Sequence, residues 1–149
     1  MSDIFITGVG MTQFGKQLDR SLKDLSADAS IQAFADAGCG PSDIEAVFFG
    51  NCVQGHMEGQ DMIRGELIAR AIGIEGVPVV NVENACATAS TAVHMASVYV
   101  RSGTADIVLA LGAEKMCSPD KALMFSAFDG AWGVHETARN RDILLAMGE

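Results

Sequence analysis

The chain has few charged residues, and basic residues are the scarcer kind. Lys and Arg together number 10 against 19 Asp and Glu in 149 residues, which gives a formal net charge of −9. A surface of that sign repels phosphate backbones and anionic lipid, which argues against nucleic-acid binding as the main function. Charged residues make up only 19% of the chain beside 49% hydrophobic residues, and this balance excludes a disordered protein.

Long hydrophobic runs and paired cysteines are also lacking. The longest apolar stretch, residues 107–113, has the length of a strand and falls far short of the ~20 residues that cross a bilayer. The first residues show no secretory signal, and no two cysteines form a C-x-x-C pair. We therefore expect a cytoplasmic protein without a membrane span, whose cysteines are reduced thiols. They are Cys39, Cys52, Cys86 and Cys117.

Short apolar segments alternate with segments of helical periodicity. Buried strands are predicted at residues 4–9, 46–49, 77–82 and 107–112, and helices at residues 21–37, 61–72 and 85–101. This alternation is typical of an α/β fold with parallel neighbouring strands. After residue 112 the pattern weakens, and only residues 136–147 favour a helix. We predict an α/β domain over residues 1–115 and the start of a loop region over residues 116–149.

The third predicted strand turns into a helix within a few residues, and Cys86 lies at or near the start of that helix. Unpaired backbone N–H groups and the helix dipole favour a thiolate at such a position. The N–H groups of Cys86 and Ala87 could also hold a carbonyl oxygen that becomes an oxyanion. The alternative is that Cys86 is a small core residue, as most cysteines are. The residues alone leave both interpretations open.

Other candidate sites are weaker. Cys52 and His56 lie four residues apart, but a metal needs three or four ligands and no second pair is visible, so we predict no metal site. The glycines between residues 55 and 59 lack the Lys-Ser/Thr of a phosphate-binding loop. His94 follows Cys86 by about 12 Å along a helix, which is too far for it to act as the local base.

Several motifs between residues 49 and 119 resemble the N-terminal half of the thiolase superfamily. The matching segments are Gly50-Asn51 with Val53, Gly59-Gln60, Arg64, Cys86-Ala87-Thr88-Ala89, and Gly112-Ala113-Glu114 with Met116. Residues 4–15 resemble the branch close to sterol-carrier and lipid-transfer thiolases. Two residues depart from the family pattern, because Glu83 stands where many members have Asn and Ala89 replaces the usual Gly.

The resemblance implies a layered α/β fold, with a mostly parallel mixed sheet and helices on both faces, of which this chain carries the first half. It implies that Cys86 is the acyl-accepting nucleophile of an acyltransferase acting on 3-ketoacyl-CoA, an activity of lipid metabolism. Catalysis would be covalent, so no cofactor is expected and coenzyme A enters as a substrate.

The resemblance also implies what the chain needs from elsewhere. The family's C-terminal half supplies the activating histidine, a second cysteine and a further oxyanion donor, so the chain alone is expected to be inactive. The expected partners are an acyl-CoA substrate and either a second copy or a subunit carrying the missing half. A small OB-fold or zinc-ribbon protein is such a partner of some lipid-transfer relatives. The alternatives are a non-catalytic interaction subunit or fragment, and an acyl-CoA aldolase or lyase of the same superfamily.

Overall fold

The computed structural model describes residues 3–148, and the chain divides into two compact units, the first ending at Cys117 and the second beginning at Ser118. The first unit contains the helices α1 (Leu22–Ala37), α2 (Gln54–Glu58), α3 (Arg64–Ala71) and α4 (Thr88–Arg101), the strands β1 (Ala46–Gly50), β2 (Val79–Val82) and β3 (Val108–Gly112), and short 3-10 turns at Pro41–Asp43 and Ala85–Ala87. The predicted strands at residues 46–49, 77–82 and 107–112 correspond to β1, β2 and β3.

The three strands form a parallel sheet in the order β2-β1-β3. All five residues of the central strand β1 are buried, as expected for a strand covered on both faces. Alternate residues face opposite layers, so Val47 and Phe49 pack in the cluster that includes α1 and α3 residues, whereas Phe48 packs with Ala92 and Ala96 of α4. The predicted layered α/β fold with helices on both faces is confirmed, and the sheet described here is parallel throughout.

Helix α1 begins and ends with clear signals. The Ser21 side chain accepts from the Asp24 N–H at 3.1 Å, and the Asp24 carboxylate accepts from the Ser21 N–H at 2.8 Å. This reciprocal capping box satisfies two N–H groups that the first turn leaves unpaired. Gly38 ends the helix with a left-handed backbone, φ 68°. The predicted helix over residues 21–37 therefore has the expected bounds.

The predicted buried strand over residues 4–9 is wrong. Phe5 and Ile6 are 77% and 79% exposed, and the segment joins no sheet. The end of the segment lies against α1, since a Cβ added at Gly8 would lie 2.7 Å from the Cβ of Ala37. The Val9 N–H donates to the Asp36 carboxylate at 2.9 Å. Helix side chains thus satisfy backbone groups that a strand would otherwise pair.

Two helix boundaries also differ from prediction. The helix predicted over residues 61–72 begins at Arg64, because Ile63 adopts a left-handed conformation with φ 49°. The helix predicted over residues 85–101 begins at Thr88, after a 3-10 turn. The region of residues 51–60, to which the sequence assigned no element, contains the short helix α2.

The second unit contains two helices, α5 (Lys121–Ser126) and α6 (Thr137–Ala146), with a 3-10 segment at Ala127–Ala131 between them. Asp120 caps α5, since its carboxylate accepts from the Leu123 N–H at 3.1 Å. The helix favoured over residues 136–147 is present as α6. Across residues 3–148, the helices are all too short or too polar to cross a membrane.

Candidate active site

The carboxyl ends of the three strands meet at one edge of the sheet. Gly50, the last residue of β1, pairs with Val82 at the end of β2 and with Gly112 at the end of β3. The segments that follow the strands therefore emerge side by side. In parallel α/β sheets this edge is where ligands bind.

A glutamate that follows β3 organises the segment after β1. The Glu114 carboxylate accepts from the Cys52 N–H at 2.8 Å and from the Val53 N–H at 3.2 Å. Asn51, which is buried, donates from Nδ2 to the Ala113 carbonyl at 2.7 Å and to Glu114 at 3.0 Å. These charge-assisted bonds join the ends of β1 and β3.

The guanidinium of Arg64 completes this polar cluster. Arg64, the first residue of α3, donates to Asn51 Oδ1 at 2.9 Å and to the Cys52 carbonyl at 3.4 Å. The same Asn51 oxygen accepts from the Gln54 N–H at 3.0 Å. Asn51 thus has both its donor and its acceptor groups engaged, which sets its orientation.

Cys86 lies in the middle of the 3-10 turn Ala85–Ala87, between β2 and α4, and its side chain is exposed. The interpretation of Cys86 as a buried core residue is therefore wrong. Ala85, directly before it, has φ 45°, a left-handed conformation that is uncommon for a residue with a Cβ. Strained backbone of this kind concentrates at functional sites.

Side chains and backbone groups hold the turn around Cys86. Thr88 Oγ1 accepts from the Asn84 N–H at 2.8 Å and donates to the Ala85 carbonyl at 2.7 Å. The Ala87 N–H donates to the Asn84 carbonyl at 2.9 Å. Of the two amides predicted to support an oxyanion, that of Ala87 is therefore engaged within the turn.

Two glycines at the strand ends let α4 approach the sheet closely. A Cβ added at Gly50 would lie 2.9 Å from Thr88 Cγ2, and one added at Gly112 would lie 2.7 Å from the Cβ of Ala89. Both distances are shorter than real Cβ contacts, so any side chain there would displace the start of α4. Ala89, where the family has Gly, occupies the space that Gly112 leaves.

Glu83 links Cys52 to the backbone of Ala85, the residue directly before Cys86. Glu83 Oε1 accepts from the Cys52 thiol at 3.3 Å and from the Ala85 N–H at 2.7 Å. Burial, together with the hydrogen bond to Glu83 and its charge, raises the pKa of Cys52 to about 11. The bond from the Ala85 N–H, followed by the bond from Cys52, lowers the pKa of Glu83.

The remaining candidates lie apart from this cluster or have other roles. Cys39 packs against the hydrophobic core beside α1, and His94 is exposed on α4. Among the described residues, no group of three or more His, Cys, Asp or Glu side chains could hold a metal ion.

In the sequence, Asn51, Arg64 and Glu114 are recognisable only as motif residues, and the motifs alone assign them no role. Asn51 and Glu114 lie one and two residues beyond a strand end, and Arg64 is the first residue of a helix. These positions are the signal that could have assigned the three residues to one site. That signal becomes usable only when the strand order is known, because β1 and β3 are distant in sequence.

The domain is thus a parallel three-layer α/β fold that carries an exposed cysteine at a strand-to-helix turn. The family model described as Thiolase, N-terminal domain, matches residues 4–148. The chain belongs to the thiolase family.

Two relatives illustrate the similarity. Sterol carrier protein 2 of Gallus gallus is 41% identical over 125 residues, which cover 83% of this chain and 22% of the relative. Acetyl-CoA acetyltransferase of Methanocaldococcus jannaschii is 38% identical over 134 residues, covering 89% of this chain and 34% of the relative. The chain thus spans between about a fifth and a third of the length of such relatives.

Solved structures show the same fold. The Acat5 thiolase from Ascaris suum, in complex with coenzyme A, aligns with a TM-score of 0.62 at 23% identity over 74% of this chain and 28% of that one. The Ltp2-ChsH2(DUF35) aldolase aligns with a TM-score of 0.52 at 30% identity over 67% of this chain and 24% of that one.

Proposed function

We propose that the chain is the nucleophile-bearing part of a thiolase-type acyltransferase acting on 3-ketoacyl-CoA. The observation that carries the proposal is the exposed Cys86 in the turn between β2 and α4, at the sheet edge where parallel α/β folds bind ligands. The acetyl-CoA acetyltransferase relative supports the reaction class. Coenzyme A is a substrate in this scheme, and the chemistry calls for no further cofactor.

The proposed reaction has two covalent steps. The Cys86 thiolate attacks the 3-keto carbon, a C–S bond forms, the C2–C3 bond breaks, and the departing acetyl-CoA carbanion takes up a proton. The thiol of a second coenzyme A then attacks the thioester, leaves with the acyl group and returns Cys86 to its free form. Dividing one C–C cleavage into two transfers lowers the barrier of each.

Backbone amides would stabilise the oxyanion in both steps. The Cys86 N–H is the first donor in the proposal. The Ala87 N–H would contribute by exchanging its bond to the Asn84 carbonyl for one to the substrate oxygen. Cys86 is a free, exposed thiol, and no hydrogen bond to it from a side chain of residues 3–117 is present, so the base would come from the part of the family architecture that follows this domain.

The test is acyl transfer to Cys86. The chain is incubated with acetyl-CoA, digested, and its cysteine peptides are weighed by mass spectrometry, alongside Cys86→Ala and the control Cys117→Ala. We expect an acetyl group on the Cys86 peptide of the unchanged chain and of Cys117→Ala, and none in Cys86→Ala. Acetylation of other cysteines with none on Cys86 would contradict the proposal.

An acyl-CoA aldolase is the second candidate, and the similarity to the Ltp2-ChsH2(DUF35) aldolase favours it. In retro-aldol cleavage the carbon–carbon bond breaks without an acyl-enzyme, so Cys86 need not be acylated. Cleavage of a 3-hydroxyacyl-CoA that persists in Cys86→Ala would support the aldolase and exclude the acyltransferase.

We also propose a cytoplasmic location, which is compatible with the four free cysteines.

A further inference from the structure

Glu83 lies between the turn that carries Cys86 and the segment that follows β1. One of its oxygens, Oε1, accepts from the Ala85 N–H at 2.7 Å and from the Cys52 thiol at 3.3 Å. Ala85 is the residue with the left-handed backbone directly before Cys86. Glu83 therefore contacts the backbone of Ala85, and the conformation of Ala85 determines the direction in which the Cys86 side chain leaves the turn.

We propose that Glu83 is a positioning residue for Cys86: its carboxylate holds Ala85 in the left-handed conformation and thereby orients the cysteine side chain. The inference rests on the proposed function, in which Cys86 is the nucleophile. Glu83 is also one of the two residues at which this chain departs from the family pattern.

The left-handed conformation needs external support. For a residue with a Cβ it is disfavoured relative to the right-handed region, because the Cβ comes too close to the following carbonyl oxygen. Thr88 restrains the carbonyl side of Ala85 with a hydrogen bond of 2.7 Å, and Glu83 restrains the N–H side. Without an acceptor at Glu83, Ala85 can return to negative φ and rotate the following peptide, which moves the Cys86 thiol.

The carboxylate is itself held from outside the turn. Its second partner, Cys52, has a backbone N–H bound by Glu114 at 2.8 Å and a carbonyl bound by Arg64 at 3.4 Å. Arg64 and Glu114 are thus charged residues that bind the backbone of Cys52, whose thiol in turn binds Glu83. This series of contacts connects the turn to the ends of β1 and β3, and it fixes the position of the Glu83 carboxylate.

A second left-handed residue lies at the other end of the same cluster. Ile63, with φ 49°, directly precedes Arg64. The two non-glycine residues with positive φ among the described residues therefore flank one connected set of polar contacts, running from Arg64 through Cys52 to Glu83. Strain at both ends of the cluster is expected where a fixed side-chain direction matters more than local stability.

The test compares Glu83→Gln with Glu83→Met by alkylation of each cysteine with iodoacetamide near neutral pH, followed by peptide mass spectrometry. Gln and Met have similar length, but only Gln keeps an oxygen that accepts from the Ala85 N–H. We expect Cys86 alkylation to slow about fivefold in Glu83→Met, since one hydrogen bond is lost, and to stay near the original rate in Glu83→Gln. Glu66→Met is the matched control, because Glu66 binds Asn81 at the same sheet edge and should leave Cys86 unaffected.

Equal slowing in both Glu83 variants, or no slowing in Glu83→Met, would overturn the proposal. Alkylation of Cys39, which packs on the core, monitors folding in every sample. A rise of Cys39 alkylation in Glu83→Met would show global unfolding and would also overturn the assignment of a local positioning role. Alkylation requires no turnover, so the assay separates this inference from the proposed function, which stands or falls on acyl transfer to Cys86.

Discussion

Two cysteines at the same sheet edge have opposite surroundings. The Cys86 side chain is exposed in a turn whose backbone is held from both sides. The Cys52 side chain is partly buried, and its thiol donates to a carboxylate. Because thiolate formation controls the reactivity of cysteine, this contrast predicts an order of labelling.

We expect Cys86 to be alkylated faster than the other three cysteines, Cys39, Cys52 and Cys117, and Cys52 to be slow. With a pKa of about 11, Cys52 is almost entirely a neutral thiol near pH 7, and its thiolate appears only as the pH rises toward that value. Iodoacetamide labelling followed by peptide mass spectrometry measures all four rates in one sample. Equal rates in a folded chain would contradict the prediction, and Cys86→Ser should remove the fastest phase.

The capping box of α1 predicts a loss of stability in acid. Hydrogen bonds from the side chain and the backbone N–H of Ser21 lower the pKa of the Asp24 carboxyl below its ordinary value. A carboxyl whose pKa is lower in the folded state contributes stability that is present above its unfolded pKa and is lost as the pH falls through the folded pKa.

Urea unfolding of the unchanged chain and of Asp24→Asn checks this expectation. The difference between the two unfolding midpoints should be largest near neutral pH and should shrink as the pH falls from about 5 to about 2. Asp28→Asn on the same helix is the comparison, since its partner is Arg20 rather than the helix N-terminus. A difference that stays constant across this range would exclude the capping carboxylate as its cause.

At the scale of elements, the close approach of α4 to the sheet determines where Cys86 lies. The contact depends on the pairing of Gly112 with Ala89, in which one residue has no Cβ and the other has a small one. We expect Gly112→Ala to destabilise the chain by about 1–3 kcal/mol, because its methyl group would overlap that of Ala89. Denaturant unfolding gives the free energy.

The matched variant for this prediction is Ala89→Gly, alone and combined with Gly112→Ala. Removing the Ala89 methyl group makes room for the new one, so the double variant should be more stable than Gly112→Ala alone. Gly130→Ala is a control at an open position, where an added Cβ meets no atom within 4 Å. Purely additive effects of the two changes would show that the methyl groups do not meet.

The elements differ in how far their own residues predict them. The run Ala46–Gly50 is apolar throughout and ends in glycine, so its burial as a central strand follows from the pattern. Residues 4–9 have the same local pattern, yet the neighbouring amides are satisfied by Asp36 and Gln32 on α1. Local periodicity contains no information about such distant partners.

The candidate site shows the same limit. The position of Cys86 at a strand-to-helix turn could be predicted, because the strand, the turn and the helix are adjacent in sequence. The contact between Asn51 and Glu114 could not, since it depends on β1 and β3 being neighbours in the sheet. The left-handed conformation of Ala85 was equally unpredictable, because nothing about alanine favours positive φ.

At the scale of the whole molecule, the exposed surface of α4 includes several large apolar side chains. Val93 and Val98 are each 50% exposed, and Met95 lies between them. A patch of this kind is commonly covered by another protein surface, and a second copy of the chain is our expectation.

Sedimentation at micromolar concentration should therefore show self-association. Val93→Glu with Val98→Glu should produce monomers, because burying two carboxylates in an apolar contact is costly. Ile31→Glu is the matched control, as Ile31 is exposed on α1, which packs on the opposite face of the sheet. A clean monomer of the unchanged chain would contradict the expectation.

We expect negligible thiolysis of a 3-ketoacyl-CoA by the 149-residue chain alone, because residues 3–117 place no hydrogen-bonding side chain against the Cys86 thiol. A nucleophile without a base reacts slowly. The measurement is loss of the ketoacyl-CoA in the presence of coenzyme A. Turnover of about 1–1000 per second would show that a base is present in the chain and would contradict the assignment of that base elsewhere.

The strand order has a consequence for the way in which the chain folds. The central strand β1 is made first, but its partners follow much later, since Val47 pairs with Val79 and with Leu109. During synthesis, both edges of β1 therefore stay unpaired until the ribosome has produced β2 and β3. Non-local pairing of this kind slows folding and exposes intermediates to aggregation. Nascent chains that stop before residue 108 should therefore depend on chaperones far more than chains that extend past residue 112.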